Sequence, residues 1–388
     1  MHFAPRTADL MHSPIGAAHA LLGSRSGARP LLDLSQAAPS FPPAGVVVDR
    51  IAAAAYEPAT SRYAPQPGLP ALREAFAADL AGAYRCPMRP ANVLITAGCN
   101  QAFCLVASAI AAPGDSVVVV APFYFNHDMW LRVEGIEVRH LMVEADGLPA
   151  VDRLKELVDE KTRAVVLVSP GNPTGVTMPP ELIAAFGAEA RRHGLVLIVD
   201  ETYRTYRDTA APAHDLFADA DWGEHVASLH SFSKDLAIPG YRVGAIVGGP
   251  ALLTEALKLL DCVAISAPRI AQEAALTGLV DAGGWRHEQV ARIARLQQRF
   301  EGAMAAAPGG FELVSAGAYF GWLRHPVPDV PTERVVRALV LDHDVLTIPG
   351  TAFTPRDDHM LRFSFANLAD EELDELPRRL AELDRAPA

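Results

Sequence analysis

Cysteine is scarce in this chain. The four present, Cys86, Cys99, Cys104 and Cys262, form no C-x-x-C pair and have no adjacent histidine at zinc-ligand spacing. Neither a disulfide framework nor a metal site is therefore expected, and reduced thiols in a cytoplasm are the simplest reading. No stretch reaches the ~18–20 apolar residues needed to span a bilayer. Residues 1–30 mix His, Arg, Pro, Ser and Gly without a continuous apolar segment, so a secretory signal is not expected. Positive charge is short as well: 34 Lys and Arg stand against 46 Asp and Glu, a formal net charge of −12. That balance argues against nucleic acid, whose binding depends on neutralising phosphates, and against an anionic membrane surface. It leaves room for a small anionic ligand held by a few local donors. The two common nucleotide motifs are missing too: no GxGxxG follows a strand, and no GxxxxGK[ST] occurs.

Apolar residues are plentiful. Half of the 388 residues are hydrophobic and 21% are charged, which suits a large core and a chain longer than one ordinary domain. Short apolar runs at Val93–Thr96, Val117–Val120, Ala164–Val168, Leu195–Val199 and Val226–Leu229 each end in a polar or glycine-rich turn. Continuous rather than alternating apolar runs mean burial on both faces, as in a mainly parallel sheet covered by helices. Helical patterns at Asn100–Ala111 and Pro180–His193 complete an α/β rhythm. Beyond residue 280 the pattern changes. A long amphipathic helix over Trp285–Ala306 buries Val290, Ile293, Leu296 and Phe300 and leaves Arg292, Arg295 and Arg299 to solvent. Strand-like Ala318–Leu323, helix-like Thr332–Asp342, strand-like Leu361–Phe365 and a charged final helix follow. The expected division is a large α/β domain over 46–280 and a smaller α+β domain formed by 1–45, including an N-terminal arm, with 281–388.

The polar clusters fall at the C-terminal ends of the strands, the edge where open α/β sheets bind ligands. Ile-Thr-Ala-Gly-Cys-Asn passes from strand to helix through Gly98. The turn either simply connects the two or presents the backbone N–H groups of Gly98, Cys99 and Asn100 to an anion. Asp200 closes the run Leu-Val-Leu-Ile-Val. A carboxylate there needs a partner, whether a helix cap, a structural salt bridge or a cationic nitrogen, and Tyr203 could point at the same place. In Ser-Pro-Gly-Asn-Pro-Thr-Gly, residues 169–175, two prolines and two glycines stiffen a turn around Asn172. Lys234 and Arg242 flank a Pro-Gly turn in His-Ser-Phe-Ser-Lys-Asp-Leu-Ala-Ile-Pro-Gly-Tyr-Arg-Val-Gly, either as a solvated loop or as part of a site.

Taken in order, the 169–175 loop, Asp-Glu-Thr-Tyr, Ser-Phe-Ser-Lys and Pro-Gly-Tyr-Arg-Val-Gly resemble the pyridoxal-phosphate-dependent class I/II aminotransferases of fold type I. The likeness runs from Leu34 to the final helix. It implies a large domain with a mainly parallel, seven-stranded type of sheet and the cofactor pyridoxal 5'-phosphate. It also implies transfer of an amino group between an L-amino acid and a 2-oxo acid, through a Lys234 Schiff base and pyridoxamine phosphate. By this resemblance Lys234 shuttles the proton at the substrate Cα. Asp200 holds the pyridine nitrogen protonated, Asn172 and Tyr203 bond the phenolic oxygen, and Tyr124 stacks on the ring. Gly98, Cys99, Asn100, Ser231 and Arg242 hold the phosphate. Tyr63 matches a tyrosine that reaches the phosphate of a neighbouring subunit, which implies a homodimer with shared sites. Arg362 matches the arginine that grips the substrate α-carboxylate, and a planar two-pronged donor suits that partner.

Four positions depart from the pattern, Cys99 and Asn100 standing where small or basic residues are frequent. Asp-Leu-Ser-Gln-Ala-Ala-Pro-Ser-Phe-Pro carries Ser35 and Ala37 where the family's substrate loop has glycines, so Ala37 reshapes the substrate pocket. For the substrate side chain, Arg204 and Arg207 stand as weak cation candidates beside a surface role. Phe41, Phe123 and Tyr319 fit either a pocket lining or the core. A lyase, a synthase or a decarboxylase on the same fold is the alternative activity. A non-catalytic effector-sensing protein is a further one, opposed by the filled catalytic positions.

Overall fold

The computed structural model describes residues 1–8, 10–25 and 29–383. Its central sheet has seven strands: β1 (Val93–Thr96), β2 (Ser116–Ala121), β3 (Glu137–Met142), β4 (Thr162–Val168), β5 (Val196–Asp200), β6 (Val226–Ser231) and β7 (Gly244–Val247). They lie in the order β1-β7-β6-β5-β4-β2-β3, and only β7 runs antiparallel to its neighbours. Alternation of side chains along each strand sends its valines to both faces. Val117 and Val119 pack with the helices Cys99–Ile110 and Pro250–Ala264. Val118 and Val120 pack on the opposite face with Ile183 and Phe186 of the helix Pro180–Arg192. Helices Pro70–Tyr84 and Arg269–Asp281 cover β1 and β7 on that second face. Coverage on both sides is why these strands read as unbroken apolar runs.

A second sheet is antiparallel: β8 (Glu312–Gly317), β9 (Phe320–Arg324), β10 (Ile348–Pro349) and β11 (Met360–Phe363), in the order β10-β11-β9-β8. Its core gathers Phe300, Phe320, Leu339, Phe363 and Phe365, with Leu32 and Leu34 of the early chain. A short parallel ladder, Leu32–Asp33 against Val345–Leu346, fixes that early segment. The segment is thereby delivered, through Gln36 and Ala37, to the mouth of the cavity described below.

The expected strands and helices reappear within a residue or two, except that two expected strands are displaced or shortened and several strands, among them β3, β8 and β10, were not expected. The strand expected over Ala318–Leu323 is β9, because Ala318, at φ +48°, and Tyr319 form the hairpin turn before it. The strand expected to reach Phe365 stops at Phe363, and Phe365–Asn367 coils into a 3₁₀ turn. The edge strand β3 was not anticipated. Its Glu137, Arg139 and His140 break any apolar run, because an edge strand meets solvent and its charges pair locally, Arg139 with Glu137 and Asp159. The long helix runs over Gly283–Met304. Its arginines are only partly a solvated face: Arg292 lies over the Phe41 ring and Arg299 pairs with Asp370 and Asp374.

Candidate active site

A cavity of about 380 Å³ opens where the C-terminal ends of β4, β5 and β6 meet the second sheet. Asp200 is the last residue of β5 and Ser231 the last of β6. Lys234 follows on a single helical turn, Phe232–Asp235, capped by Ser231 Oγ, which accepts from the Ser233 N–H at 3.2 Å. Arg362 comes from β11 of the second sheet. Cys99, Asn100, Tyr124, Asn172, Tyr203, Arg242 and Ala37 line the same space.

The corner between Gly98 and Arg242 is built by close approach. Gly98, at φ +89°, begins the helix Cys99–Ile110, and a Cβ there would lie 2.4 Å from Arg242 Nη2. A Cβ on Gly244 would meet the Gly98 carbonyl carbon at 2.7 Å and the Cys99 nitrogen at 2.8 Å, so only glycine lets β7 pass beneath the turn. Arg242 itself sits at φ +56°, after the Pro239–Tyr241 turn, with Nη1 donating to the Pro239 carbonyl at 2.9 Å. Such a conformation costs a non-glycine residue about 1–3 kcal/mol and is held where function requires it.

Asp200 is 4% exposed, and its Oδ2 lies 3.3 Å from His127 Nε2 while its Oδ1 accepts from the Thr202 N–H at 3.0 Å. Burial alone would raise its pKa, but the His127 and Thr202 interactions outweigh that and hold it below the usual carboxylate value. It is therefore an anion at neutral pH. Lys234 shows the opposite balance. Burial, then the charges of Arg242 and Arg362, bring its ammonium down to about 7, and its Nζ donates to the Ala37 carbonyl.

Arg362 is 1% exposed and lies over the rings of Phe353 and Phe320. Its Nη1 donates to Asn172 Oδ1 at 3.0 Å and its Nη2 to the Ser35 carbonyl, while Nε is buried with no partner. Burial lowers its pKa to about 10, so it keeps its charge. Tyr124 donates to Asn100 Oδ1 at 3.2 Å, and burial raises its phenol to about 12. Burial, with Tyr124 close by, raises the Tyr203 phenol well above its ordinary value, so its O–H remains a donor. Burial and the nearby Asp200 likewise keep the Cys99 thiol protonated.

Tyr63 lies apart from this chain's cavity and is 77% exposed. Arg204 is not a surface cation but pairs with Asp79 behind the site, and Arg207 donates to the Arg204 and Ala211 carbonyls. Phe41, Phe123 and Tyr319 are core residues: Phe41 packs on Trp285, Phe123 stacks on His140, and Tyr319 is fully buried. Sequence reasoning passed over His127, whose only signal was its position one helical turn after Tyr124. It also passed over Ser13, Ile15 and Gln36, which reach the cavity from the early chain.

The lining holds three basic side chains, Lys234, Arg242 and Arg362, against one carboxylate, Asp200, which is already partnered by His127. The orphaned Arg362 Nε and the glycine-shaped corner at Arg242 fit two anionic groups, and the Asp200 carboxylate fits a cationic nitrogen. A phosphate, a substrate carboxylate and a protonated pyridine satisfy that set, so the residues present fit pyridoxal phosphate.

The fold and site thus define a fold type I pyridoxal-phosphate enzyme. Comparison with known proteins narrows this further. The family model "Aminotransferase class I and II" matches residues 29–380. An aromatic aminotransferase of Arabidopsis thaliana is 30% identical over 361 residues, covering 90% of this chain and 88% of the relative. An aspartate aminotransferase of Streptomyces avermitilis is 30% identical over 374 residues, 92% and 90% of the two chains. A single mutant of the Thermus thermophilus aspartate aminotransferase superposes with a TM-score of 0.89 at 25% identity, covering 98% of this chain and 99% of that one. The chain belongs to the class I and II aminotransferases. It is a pyridoxal-phosphate-dependent transaminase acting on an amino acid and a 2-oxo acid, and the lyase, synthase and decarboxylase alternatives are not favoured. Among the described residues no helix is long and apolar enough to cross a membrane.

Proposed function

We propose that Lys234 is the lysine that holds the cofactor and moves the proton at the substrate Cα. The observation that carries this reading is the convergence of Lys234, Asp200, Arg242 and Arg362 on one cavity, from three strand ends and a second sheet. The N–H groups of Gly98, Cys99 and Asn100, Ser231 Oγ and the Arg242 guanidinium would hold the phosphate, and Asp200 the ring nitrogen. Asn172, whose amide N–H is left free by the Arg362 bond to its oxygen, and Tyr203 would donate to the phenolic oxygen, with Tyr124 against the ring. When bound, pyridoxal phosphate supplies an electron sink for the carbanion left at Cα. The protein's own residues supply the rest. Arg362 orients the substrate through its α-carboxylate, and burial against Phe320 and Phe353 strengthens that pairing by excluding water. Lys234, neutral above about pH 7, accepts the Cα proton and returns it elsewhere. Ala37 and Gln36 close the substrate side of the cavity.

The direct test is a single turnover without an oxo-acid acceptor. One equivalent of 2-oxo acid per site, with no free ammonia, supports transamination; stoichiometric ammonia or carbon dioxide would contradict it. Replacing Arg362 by Lys keeps the charge but loses the planar fork. We expect kcat/KM to fall about 10- to 100-fold, mostly through KM, as one to two decades of affinity are lost. Steady-state kinetics on any accepted amino acid check this.

The pH dependence follows from Lys234. Its pKa in the folded chain is lowered from 10.5 to about 7, so the amine is a neutral nucleophile above that pH and protonated below it. Capture of added cofactor by the cofactor-free protein should therefore slow by about tenfold per pH unit below 7 and level off above it. Stopped-flow absorbance reads the rate directly, and a pH-independent rate between 5.5 and 8 would count against a Lys234 nucleophile (both limits roughly set by that pKa). The same shift means this group opposes folding below about pH 7 and ceases to do so as pH rises toward 10.5.

We also read residues 46–280 and residues 1–45 with 281–388 as the two domains, because three of the four cores lie almost wholly in the first and the fourth lies mainly in the second, joined by Phe125, Tyr203, Tyr206 and Ala237. A homodimer is supported by exposed apolar side chains, Val46, Val48 and Tyr56, close in sequence to the exposed Tyr63. Light scattering tests it, with a monomeric mass overturning it. Four free cysteines agree with a cytoplasmic location.

A further inference from the structure

The turn that carries Lys234 is held from behind by side chains outside the cavity. Tyr206 Oη donates to the Lys234 backbone carbonyl at 2.9 Å, and Tyr319 Oη donates to the Tyr206 oxygen at 3.2 Å. The two rings pack edge to face with centroids 5.0 Å apart, and Tyr319 also contacts the ring of Tyr203. Tyr319 is fully buried and Tyr206 nearly so, which leaves water little part in replacing these bonds. A second line runs beside the first. Arg286 Nη2 donates to Asp235 Oδ2 at 2.7 Å, next to Lys234 in the chain, and Arg286 Nη1 lies 3.2 Å from Asp79 Oδ1. Asp79 in turn holds Arg204, which follows Tyr203.

Both lines begin in the C-terminal part of the molecule. Tyr319 is the last residue of the hairpin turn between β8 and β9, and β9 pairs with β11 so that Trp322 faces Arg362 across the ladder. Arg286 stands in the first turn of the long helix Gly283–Met304. The arginine read as gripping the substrate carboxylate and the lysine read as moving its proton are thus joined by β11, β9, Tyr319 and Tyr206.

We infer that Tyr206, backed by Tyr319, is a positioning residue that fixes Lys234 relative to Arg362. The inference rests on the reading of Lys234 and Arg362 given above. It assigns work to two buried hydroxyls that neither touch the cavity nor serve packing. Phenylalanine at either position keeps the ring contacts and removes only the hydrogen bonds.

The test compares the holoenzymes of Tyr206→Phe, Tyr319→Phe and the double variant with the unaltered protein. The visible absorbance of the lysine-bound cofactor is titrated with pH, and steady-state kinetics are run alongside. The charged groups lining the cavity with Lys234 are Asp200, Arg242 and Arg362, with Asp235 on its own turn; none is altered in these variants. Tyr206→Phe is expected to lower kcat about 5- to 10-fold with KM nearly unchanged, the scale of one lost buried hydrogen bond. It should also move the spectral midpoint by a measurable fraction of a pH unit. Tyr319→Phe should shift both in the same direction but less. Because Tyr319 acts only through Tyr206, the double variant should equal Tyr206→Phe alone. An unchanged kcat and midpoint in Tyr206→Phe, or fully additive effects in the double variant, would overturn the inference. Should Tyr206→Phe not fold, an unchanged midpoint in Tyr319→Phe does so. An unaltered protein that shows no lysine-bound cofactor removes the underlying reading instead, so the two failures are distinct.

Discussion

Replacing Lys234 by Ala is expected to reduce kcat by about 10⁴-fold or more while leaving the fold and the corner between Gly98 and Arg242 intact. A positioned general base alone contributes about 10²–10⁴, and Lys234 is read as both base and covalent anchor. No neighbour can substitute for it. The cavity's other cations are guanidinium groups, which do not give up a proton near neutral pH, and its carboxylate is tied to His127. The loss should fall on kcat, because Arg362, read as the substrate carboxylate's partner, is unaltered. The variant should still bind cofactor noncovalently, and equilibrium dialysis separates that binding from catalysis. Retention of more than about a hundredth of the activity would place the proton-moving group elsewhere.

The second large effect is expected at Asp200. Asp200→Asn keeps the shape and the Thr202 N–H bond but removes the negative charge that would face the ring nitrogen. An electrostatic contact of this kind, in a closed site, is worth about 10²–10³ in rate. We expect kcat to fall by that amount with little change in KM for the amino acid. Since His127 and Thr202 already hold the Asp200 pKa below its usual value, the wild-type carboxylate stays charged throughout the neutral range. The loss should therefore be the same at pH 6 and pH 8 (both roughly chosen to lie well above any carboxylate titration). A loss that appeared only at the higher pH would point to a different titrating partner.

Much of this site could be read from the chain because its chemistry sits on strand ends. Asp200, Ser231 and Asn172 each follow an apolar run, and Gly98 stands at a strand-to-helix turn where a side chain would meet the Arg242 guanidinium. Other parts were hidden for physical reasons. Edge strand β3 carries charges that pair locally, so it lacks the apolar signature of a buried strand. His127 and Asp200 lie far apart in sequence, and a helix histidine gives no sign of what it will face. Tyr206 and Tyr319 look like core aromatics, and so they are, apart from hydroxyls whose bonds depend on tertiary placement. Arg204 looked like a surface charge because its partner, Asp79, lies on a distant helix.

The central claim is that one lysine carries the cofactor, and the sequence makes that claim unusually easy to test. The chain has only four lysines, Lys155, Lys161, Lys234 and Lys258. All but Lys234 are exposed and lie outside the cavity. Borohydride reduction of the holoenzyme, followed by proteolysis and peptide mass spectrometry, locates the attachment. The cofactor mass is predicted on the peptide containing Lys234 and on no other; a label on Lys155, Lys161 or Lys258, or no label at all, would contradict the account.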